Sequence, residues 1–255
     1  MRAYFSEADI GTIREYGLCE NRLWEFIRRT EQAGGKVSEI TLSTAQWIRL
    51  FKEDHDHKFL IEGAAFGFDW DAEDPGEFYE VPNYVDPEHE AKVTARVREE
   101  LENGHIAVTS RDRVCGIAAI GVVDKQRSGF TKYRVVHDLS RPYEMSVNDH
   151  MAVDKRSFAS FESACAYMTP RAYMCKVDLS NAYRSVPMAP KWWPRHVFQW
   201  KGVVYQDLRM PFGNSGAPAA FDRITQAVVR LMKARGRTSF VGYLDDFWLL
   251  ARPPK

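Results

Sequence analysis

Asp245 and Asp246 stand side by side in FVGYLDDFWLL (240–250), a run that is otherwise apolar. Removing an ionised carboxylate from water without a partner costs several kcal/mol, so the pair calls for a compensating group. β-forming residues on both sides predict two short antiparallel strands with Leu244-Asp245-Asp246 at their turn. Carboxylates at such a tip project from the sheet edge while Val, Tyr, Phe and Leu pack behind them. A hard divalent cation such as Mg²⁺, which takes carboxylate oxygens at about 2.0–2.1 Å, would complete the arrangement. A further carboxylate is then expected, and Asp178 qualifies because KVDL (176–179) ends an apolar strand in the same way. In the alternative reading Asp178 caps the turn LSNAY (179–183) and Asp245-Asp246 is an ordinary turn dipeptide.

The elements that must carry these residues follow from periodicity. The chain to about His57 reads as helical, with apolar residues at three- and four-residue steps in EADIGTIREYGLCENRLWEFIRRTEQ and again in STAQWIRLFKE. Residues 61–84 are acidic, aromatic and rich in Gly and Pro, which predicts an irregular connection. DPEHEAKVTARVREELENG is a helix with Asp86 as N-cap, Pro87 at the first position and Gly104 just past the end. HIAVTS, IAAIGVV and KYRVVHD read as strands, the last two forming a hairpin through QRSGFT. A helix over 157–168, a buried strand AYMCKVDL, a hairpin turning at Lys201-Gly202 and a helix of about five turns in APAAFDRITQAVVRLMKARG follow. This order indicates an α+β fold. The divisions expected are a helical N-terminal region of unknown role (1–57), a connection and helix (58–104), a strand-rich unit (105–170) and a unit bearing the aspartates (171–255).

The chain has 255 residues, 45% of them hydrophobic, enough for a sizeable core. The longest apolar run, VCGIAAIGVV, is too short to span a bilayer, and no apolar signal region follows the N-terminal arginine. An intracellular protein, cytoplasmic or nuclear, without a membrane partner is expected. Cys19, Cys115, Cys165 and Cys175 form no CxxC pair and are expected as free thiols. The 35 basic and 35 acidic residues cancel, but not uniformly: residues 1–104 hold 12 basic and 23 acidic side chains, residues 171–255 hold 14 and 5. The carboxylate pair thus lies in a basic third, as suits a polyanionic partner.

Four segments in order then carry a family resemblance. YLDD (243–246) is similar to the Y-x-D-D box of reverse transcriptases, KVDLSNAYRSVPM (176–188) to their first aspartate box, and LRMPFGNSGAPAAF (208–221) to the box between them. GVVDKQRSGFTKYRVVHDLS (121–140) resembles their fingers hairpin, so the likeness covers roughly residues 60–251. RVVHDLSRPYEMSVNDHM further resembles the DIRS-like branch of retrotransposons, which pairs this polymerase with a tyrosine recombinase. The resemblance implies a right-hand polymerase fold with fingers (105–170) and palm (171–255), an antiparallel palm sheet packed on helices, and a missing thumb beyond ARPPK. It implies RNA-directed DNA synthesis on an RNA or DNA template from a DNA primer and dNTPs. Further polyprotein domains are implied as partners: thumb, ribonuclease H, and recombinase or integrase.

In such a reaction two Mg²⁺ ions about 3.5–4 Å apart, with Mn²⁺ as an alternative, activate the primer 3′ hydroxyl and neutralise the leaving pyrophosphate. The resemblance assigns Asp178 and Asp245 to both ions, Asp246 to a weaker or electrostatic role, and the Leu179 carbonyl to an additional oxygen. It assigns Lys125, Arg127 and Arg134 to the β- and γ-phosphates, where a guanidinium can grip bidentately. Tyr183 would bar a ribose 2′ hydroxyl, Phe212 and Gly213 would lie under the nascent base pair, and Tyr243, beside the aspartates, would be a further substrate-binding residue. The competing readings are a palm that binds nucleic acid without synthesis, an RNA-directed RNA polymerase, for which an aspartate rather than Tyr183 would be expected, and a metal-dependent phosphohydrolase. Trp192, Trp193, Trp200 and Trp248 are expected in the core, and His55 and His57 in EDHDH on a hydrated acidic surface.

Overall fold

Ser6 opens the first helix by accepting the Asp9 amide, and Gly17 closes it at φ 87°. A computed structural model describes residues 4–70, 77–127, 130–152 and 158–251, without the side chains of 124–127, 130–132 and 161. Helices α1 (Glu7–Tyr16), α2 (Glu20–Gln32), α3 (Glu39–Leu42), α4 (Thr44–Phe51) and α5 (His57–Phe66) begin the chain. Helix α5 corrects the expectation of an irregular connection from residue 61. It is apolar around most of its girth, with Leu60, Ile61, Ala64 and Ala65 fully buried, so its sequence shows no amphipathic period. Leu60 joins Phe51, Phe68 and the inner face of a late helix in one core cluster, while Ile61 and Ala65 join Phe5, Ile13 and Leu23 in another.

The middle of the chain adds β1 (Tyr79–Glu80), α6 (Glu90–Glu102), β2 (Ile106–Thr109), β3 (Gly116–Ile117), β4 (Ala119–Arg127) and β5 (Phe130–Asp138). Strands β4 and β5 form the expected long hairpin, in register from Ala119–Asp138 to Arg127–Phe130. Within 157–168 the helix is shorter than expected, α7 (Phe161–Cys165), opened by a capping box at Ser160. Residue 157 lies outside the described residues.

After α7 come β6 (Tyr173–Asp178), α8 (Ala182–Ser185), β7 (Val197–Trp200), β8 (Val203–Asp207), α9 (Ala217–Ala234), β9 (Phe240–Tyr243) and β10 (Asp246–Ala251). Lys201 and Gly202, both at positive φ, turn β7 into β8 as expected. Two three-stranded antiparallel sheets result, β2-β8-β7 and β6-β10-β9. Helix α9 backs the second through Val229, which clusters with Phe240 and Phe247. The expectation of a buried strand in AYMCKVDL is corrected: β6 is exposed at every residue. It is an edge strand paired only with β10, so its apolar run reflects strand-forming residue types rather than burial. Trp192, Trp193 and Trp200 are core residues, as expected, and Trp248 is only half-buried. All four cysteines are free, and no described helix is long and apolar enough to cross a membrane.

Candidate active site

The β6-β10-β9 register sets three carboxylates at one end of that sheet. Asp246, the first residue of β10, faces Asp178, the last residue of β6, and Tyr243 across the other ladder. The Leu179 amide donates to the Asp245 carbonyl at 3.0 Å, tying the residue after Asp178 to the turn. That turn is Leu244-Asp245, and Asp246 already belongs to the strand. Leu244 adopts φ 50°, a left-handed conformation that a leucine avoids at a cost of about 1–3 kcal/mol. Its surroundings hold it there: the side chain packs on the α9 cluster, and its carbonyl accepts the Thr225 hydroxyl at 2.6 Å. Gly242 lets the turn lie close on α9, since a Cβ there would fall 2.6 Å from Thr225 Cγ2.

Like charges dominate the electrostatics. A hydrogen bond shared with the Asp246 carboxyl, then desolvation, then the charges of Asp246 and Asp245 raise Asp178 above the usual carboxylate range; Lys176 opposes them. Lys176 Nζ lies 2.9 Å from Asp246 Oδ1. Carboxylates held together against their own repulsion are oxygen donors suited to a hard divalent cation. Asp178, Asp245 and Asp246 are among the groups that could hold one.

Beside the carboxylates stands an aromatic wall. The Tyr183 ring packs 5.1 Å from Phe212 and 5.3 Å from Phe221 between centroids. Burial, then the Asp245 charge and then Tyr243, push the Tyr183 hydroxyl up to about 12, so it stays protonated at the edge of the site. Tyr243 is partly exposed and meets Phe158 at 6.2 Å. Gly213 has φ 104°, and a Cβ there would come 2.1 Å from the His137 carbonyl oxygen, so only glycine allows this approach. Asn148 stitches the same loop in place, donating to the Gly213 carbonyl and accepting the Ser215 amide, both at 2.8 Å. Phe212 stays half exposed above it.

The residue after Tyr183 enters a buried charge network that the sequence reading does not anticipate. Arg184 donates to Asp207 at 2.5 Å and pairs with Glu100 at 3.0 Å. Asp207 also bonds His137 Nδ1 at 2.8 Å, and Glu100 takes His105 at 2.9 Å and the Arg96 guanidinium. Burial alone would raise the Asp207 carboxyl, but Arg184 and His137 outweigh it and hold the group at about 2. The signal in the sequence is a single charge inside apolar text, Arg184 in AYRSVPM and Asp207 in VVYQDL.

His196, wholly buried nearby, donates Nδ1–H to the Trp192 carbonyl at 2.9 Å, and its Nε2 accepts Asn214 Nδ2 at 2.7 Å. Asn214 Oδ1 takes the Gly216 and Ala217 amides, which fixes the amide orientation and the neutral tautomer of the histidine. Burial pulls His196 down to about 4. The unfolded chain therefore binds this proton first. The stabilisation is full above about pH 6.5 and is lost as pH falls toward 4, by about 3 kcal/mol in total. Urea denaturation at pH 7 and pH 4.5 checks this: His196→Gln is expected to flatten the difference, and an equal pH dependence in both proteins contradicts it.

The expected phosphate ligands lie on the β4–β5 hairpin. Arg134 is exposed on β5 opposite Val123, three residues before the buried His137 that anchors the hairpin base to Asp207. Lys125 pairs with Lys132 and Arg127 with Phe130 in backbone register; the side chains of Lys125 and Arg127 lie outside the described residues. In the EDHDH segment Glu53, His55 and His57 are exposed, as expected, but the two aspartates are half-buried in ion pairs. Asp54 takes both Nε and Nη2 of Arg230 at 2.8 and 2.7 Å, and Asp56 takes Arg223 at 2.6 Å. Partial burial would raise these two carboxyls, but the arginines prevail and hold both below the usual range. His57 Nδ1 meets the Tyr16 hydroxyl at 2.7 Å.

With this geometry in place, known proteins sort the chain. The sequence profile of the family described as reverse transcriptase (RNA-dependent DNA polymerase) matches residues 123–255, just over half the chain. The chain belongs to the reverse transcriptase family. It is 28% identical over 160 residues to the retrovirus-related Pol polyprotein from transposon 297 of Drosophila melanogaster, covering 62% of this chain and 14% of that one. The Pol polyprotein from transposon opus of the same organism is 26% identical over 119 residues, covering 47% and 11%. This reverse transcriptase chain thus spans about a seventh of the first of these relatives. Among solved structures, a foamy viral protease-reverse transcriptase in complex with an RNA/DNA hybrid superposes with TM-score 0.56 at 15% identity, covering 92% of this chain and 29% of that one. The native prototype foamy virus protein gives 0.54 at 20% identity, covering 73% and 22%. These likenesses establish the α+β fingers-and-palm polymerase fold.

Proposed function

We propose that this chain forms the fingers and palm of an RNA-directed DNA polymerase of a retrotransposon, extending a primer 3′ hydroxyl with dNTPs on an RNA or DNA template. The observation that carries the reading is the meeting of Asp178, Asp245 and Asp246 at one end of the β6-β10-β9 sheet, beside the Tyr183–Phe212 wall. Asp178 and Asp245 would hold two Mg²⁺ ions, or Mn²⁺, with the Leu179 carbonyl as a further oxygen. Bound there, the ions supply Lewis-acid activation of the 3′ hydroxyl and neutralise charge on the leaving pyrophosphate. Asp246, already engaged by Lys176, adds negative potential rather than a full ligand.

The β4–β5 hairpin serves as the fingers hairpin, with Arg134, Lys125 and Arg127 toward the β- and γ-phosphates. Tyr183, braced by Phe212 and Phe221, closes the space that a ribose 2′ hydroxyl needs. Phe212 and Gly213 support the nascent base pair, and Tyr243 flanks the primer end. Nucleic-acid partners are supported by the foamy viral relatives, which were solved with double-stranded DNA and with an RNA/DNA hybrid. The remaining polyprotein domains, thumb, ribonuclease H and recombinase or integrase, complete the assembly in this reading.

Primer extension on poly(rA) with Mg²⁺ tests it. Incorporation of dTTP with exclusion of UTP is expected, and Tyr183→Val is expected to admit UTP. A protein that incorporates neither nucleotide contradicts the polymerase reading; unchanged selectivity in Tyr183→Val removes the ring from sugar discrimination.

A further inference from the structure

Helix α9 is gripped on two opposite faces. Arg223 and Arg230, seven residues apart, lie on one face, and Thr225 and Val229 lie roughly 200–240° round from Arg223, on the other. The first face meets the N-terminal helices: Arg230 forks onto Asp54, Arg223 bonds Asp56, and the Arg223 guanidinium lies 3.5 Å from the Phe59 ring centroid. The second face meets the carboxylate turn. Thr225 donates to the Leu244 carbonyl, Gln226 to the Gly242 carbonyl at 3.3 Å, and Val229 packs on Phe240 and Phe247.

One apolar cluster runs through the same path. It holds Phe51 and Leu60 from the N-terminal helices, Phe221, Ile224 and Ala227 from α9, and at its margin both Tyr183 and Leu244. Leu244 is the strained residue of the turn, at φ 50°. A strained conformation persists only where its surroundings over-determine it, and those surroundings are α9 itself. A rotation of α9 would shift the Thr225 hydroxyl away from the Leu244 carbonyl and let the turn relax. Asp54 and Asp56 oppose that rotation from the far side.

We infer that the N-terminal helices act as a buttress for the active-site turn, with Asp54 and Asp56 as positioning residues that fix α9 against Leu244-Asp245. The inference deepens the polymerase reading and rests on it for the activity measurement, but its structural measurement stands without it. It gives residues 4–66, which lie outside the matched reverse transcriptase profile, a defined task.

The test uses the full chain carrying Asp54→Asn and Asp56→Asn together. Amide hydrogen exchange over residues 240–250 is expected to rise at least about fivefold, while exchange in the β7–β8 hairpin stays at the parent level. In primer extension the Mg²⁺ concentration for half-maximal rate is expected to rise several-fold with the KM for dTTP unchanged, because the metal-bearing turn moves and the fingers do not. The charge exchange Asp54→Arg with Arg230→Asp is expected to restore slow exchange at the turn. Parent-like exchange at 240–250 in the double variant overturns the inference, as does an equal rise in every segment, which would mean simple loss of stability. A parent chain that extends no primer refutes the polymerase reading, and the exchange data then decide the buttress separately.

Discussion

Asp178→Asn and Asp245→Asn are each expected to lower Mg²⁺-dependent primer extension about a thousandfold or more, with the fold intact. The loss follows from charge. Each substitution removes one anionic oxygen donor from the site proposed to hold dications, where a metal at the reacting phosphate would contribute several kcal/mol and each 1.36 kcal/mol is tenfold in rate. Stability is expected to move the other way for Asp178. Its carboxyl is raised above the usual range by Asp246 and Asp245, so the folded state holds that proton more tightly than the unfolded chain does. Stability therefore falls as pH rises from the ordinary carboxylate range through the raised folded value. Asp178→Asn removes this penalty, and its urea midpoint at pH 7 is expected to equal or exceed that of the parent. Substantial extension activity in either variant contradicts the metal assignment, and a lowered midpoint for Asp178→Asn contradicts the electrostatic account.

Arg184→Met is expected to cost about 3–5 kcal/mol of folding stability, the usual consequence of removing one partner from a buried ion pair. The arginine lies between Asp207 and Glu100, all three being buried. Asp207, held at about 2, stabilises the fold fully above about pH 4, and this contribution fades as pH falls from 4 toward 2. In Arg184→Met that acid sensitivity is expected to shrink. Urea denaturation at 25 °C from pH 7 down to pH 3 measures both effects. Adding Asp207→Asn to Arg184→Met is expected to recover part of the loss, because no unpaired anion then remains beside the substituted side chain. A loss below about 1 kcal/mol for Arg184→Met alone would assign the packing to the apolar clusters instead.

The candidate site is legible in the sequence where its chemistry conflicts with its surroundings. Asp178, Asp245 and Asp246 interrupt strand-forming text, and the strand pairing brings them to one sheet end as expected. Lys201-Gly202 and the β4–β5 hairpin are legible for a different reason, since local turn chemistry and alternation specify them without distant partners. Helix α5 is not, because burial on nearly all sides erases the period that marks a helix. Strand β6 misleads in the opposite sense, its apolar residues lying on an open edge. The network around Arg184 escapes because its members come from distant segments: Asp207 is 23 residues from Arg184 and 70 from His137. Asp54 and Arg230, 176 residues apart, are hidden in the same way. Asp54 and Arg230 each look like an ordinary surface charge until the fold brings them together.

The close approach of Gly213 to the His137 carbonyl limits how the fingers hairpin can bend. His137 bonds Asp207 through Nδ1 and lies 3.3 Å from the Val197 carbonyl through Nε2, while the loop before α9 is pressed against its backbone. The root of the hairpin is thus bolted to the β2-β8-β7 sheet and to the loop carrying Phe212. Any bending of the hairpin must take place beyond this joint. Arg134, three residues from His137, therefore lies close to this fixed joint.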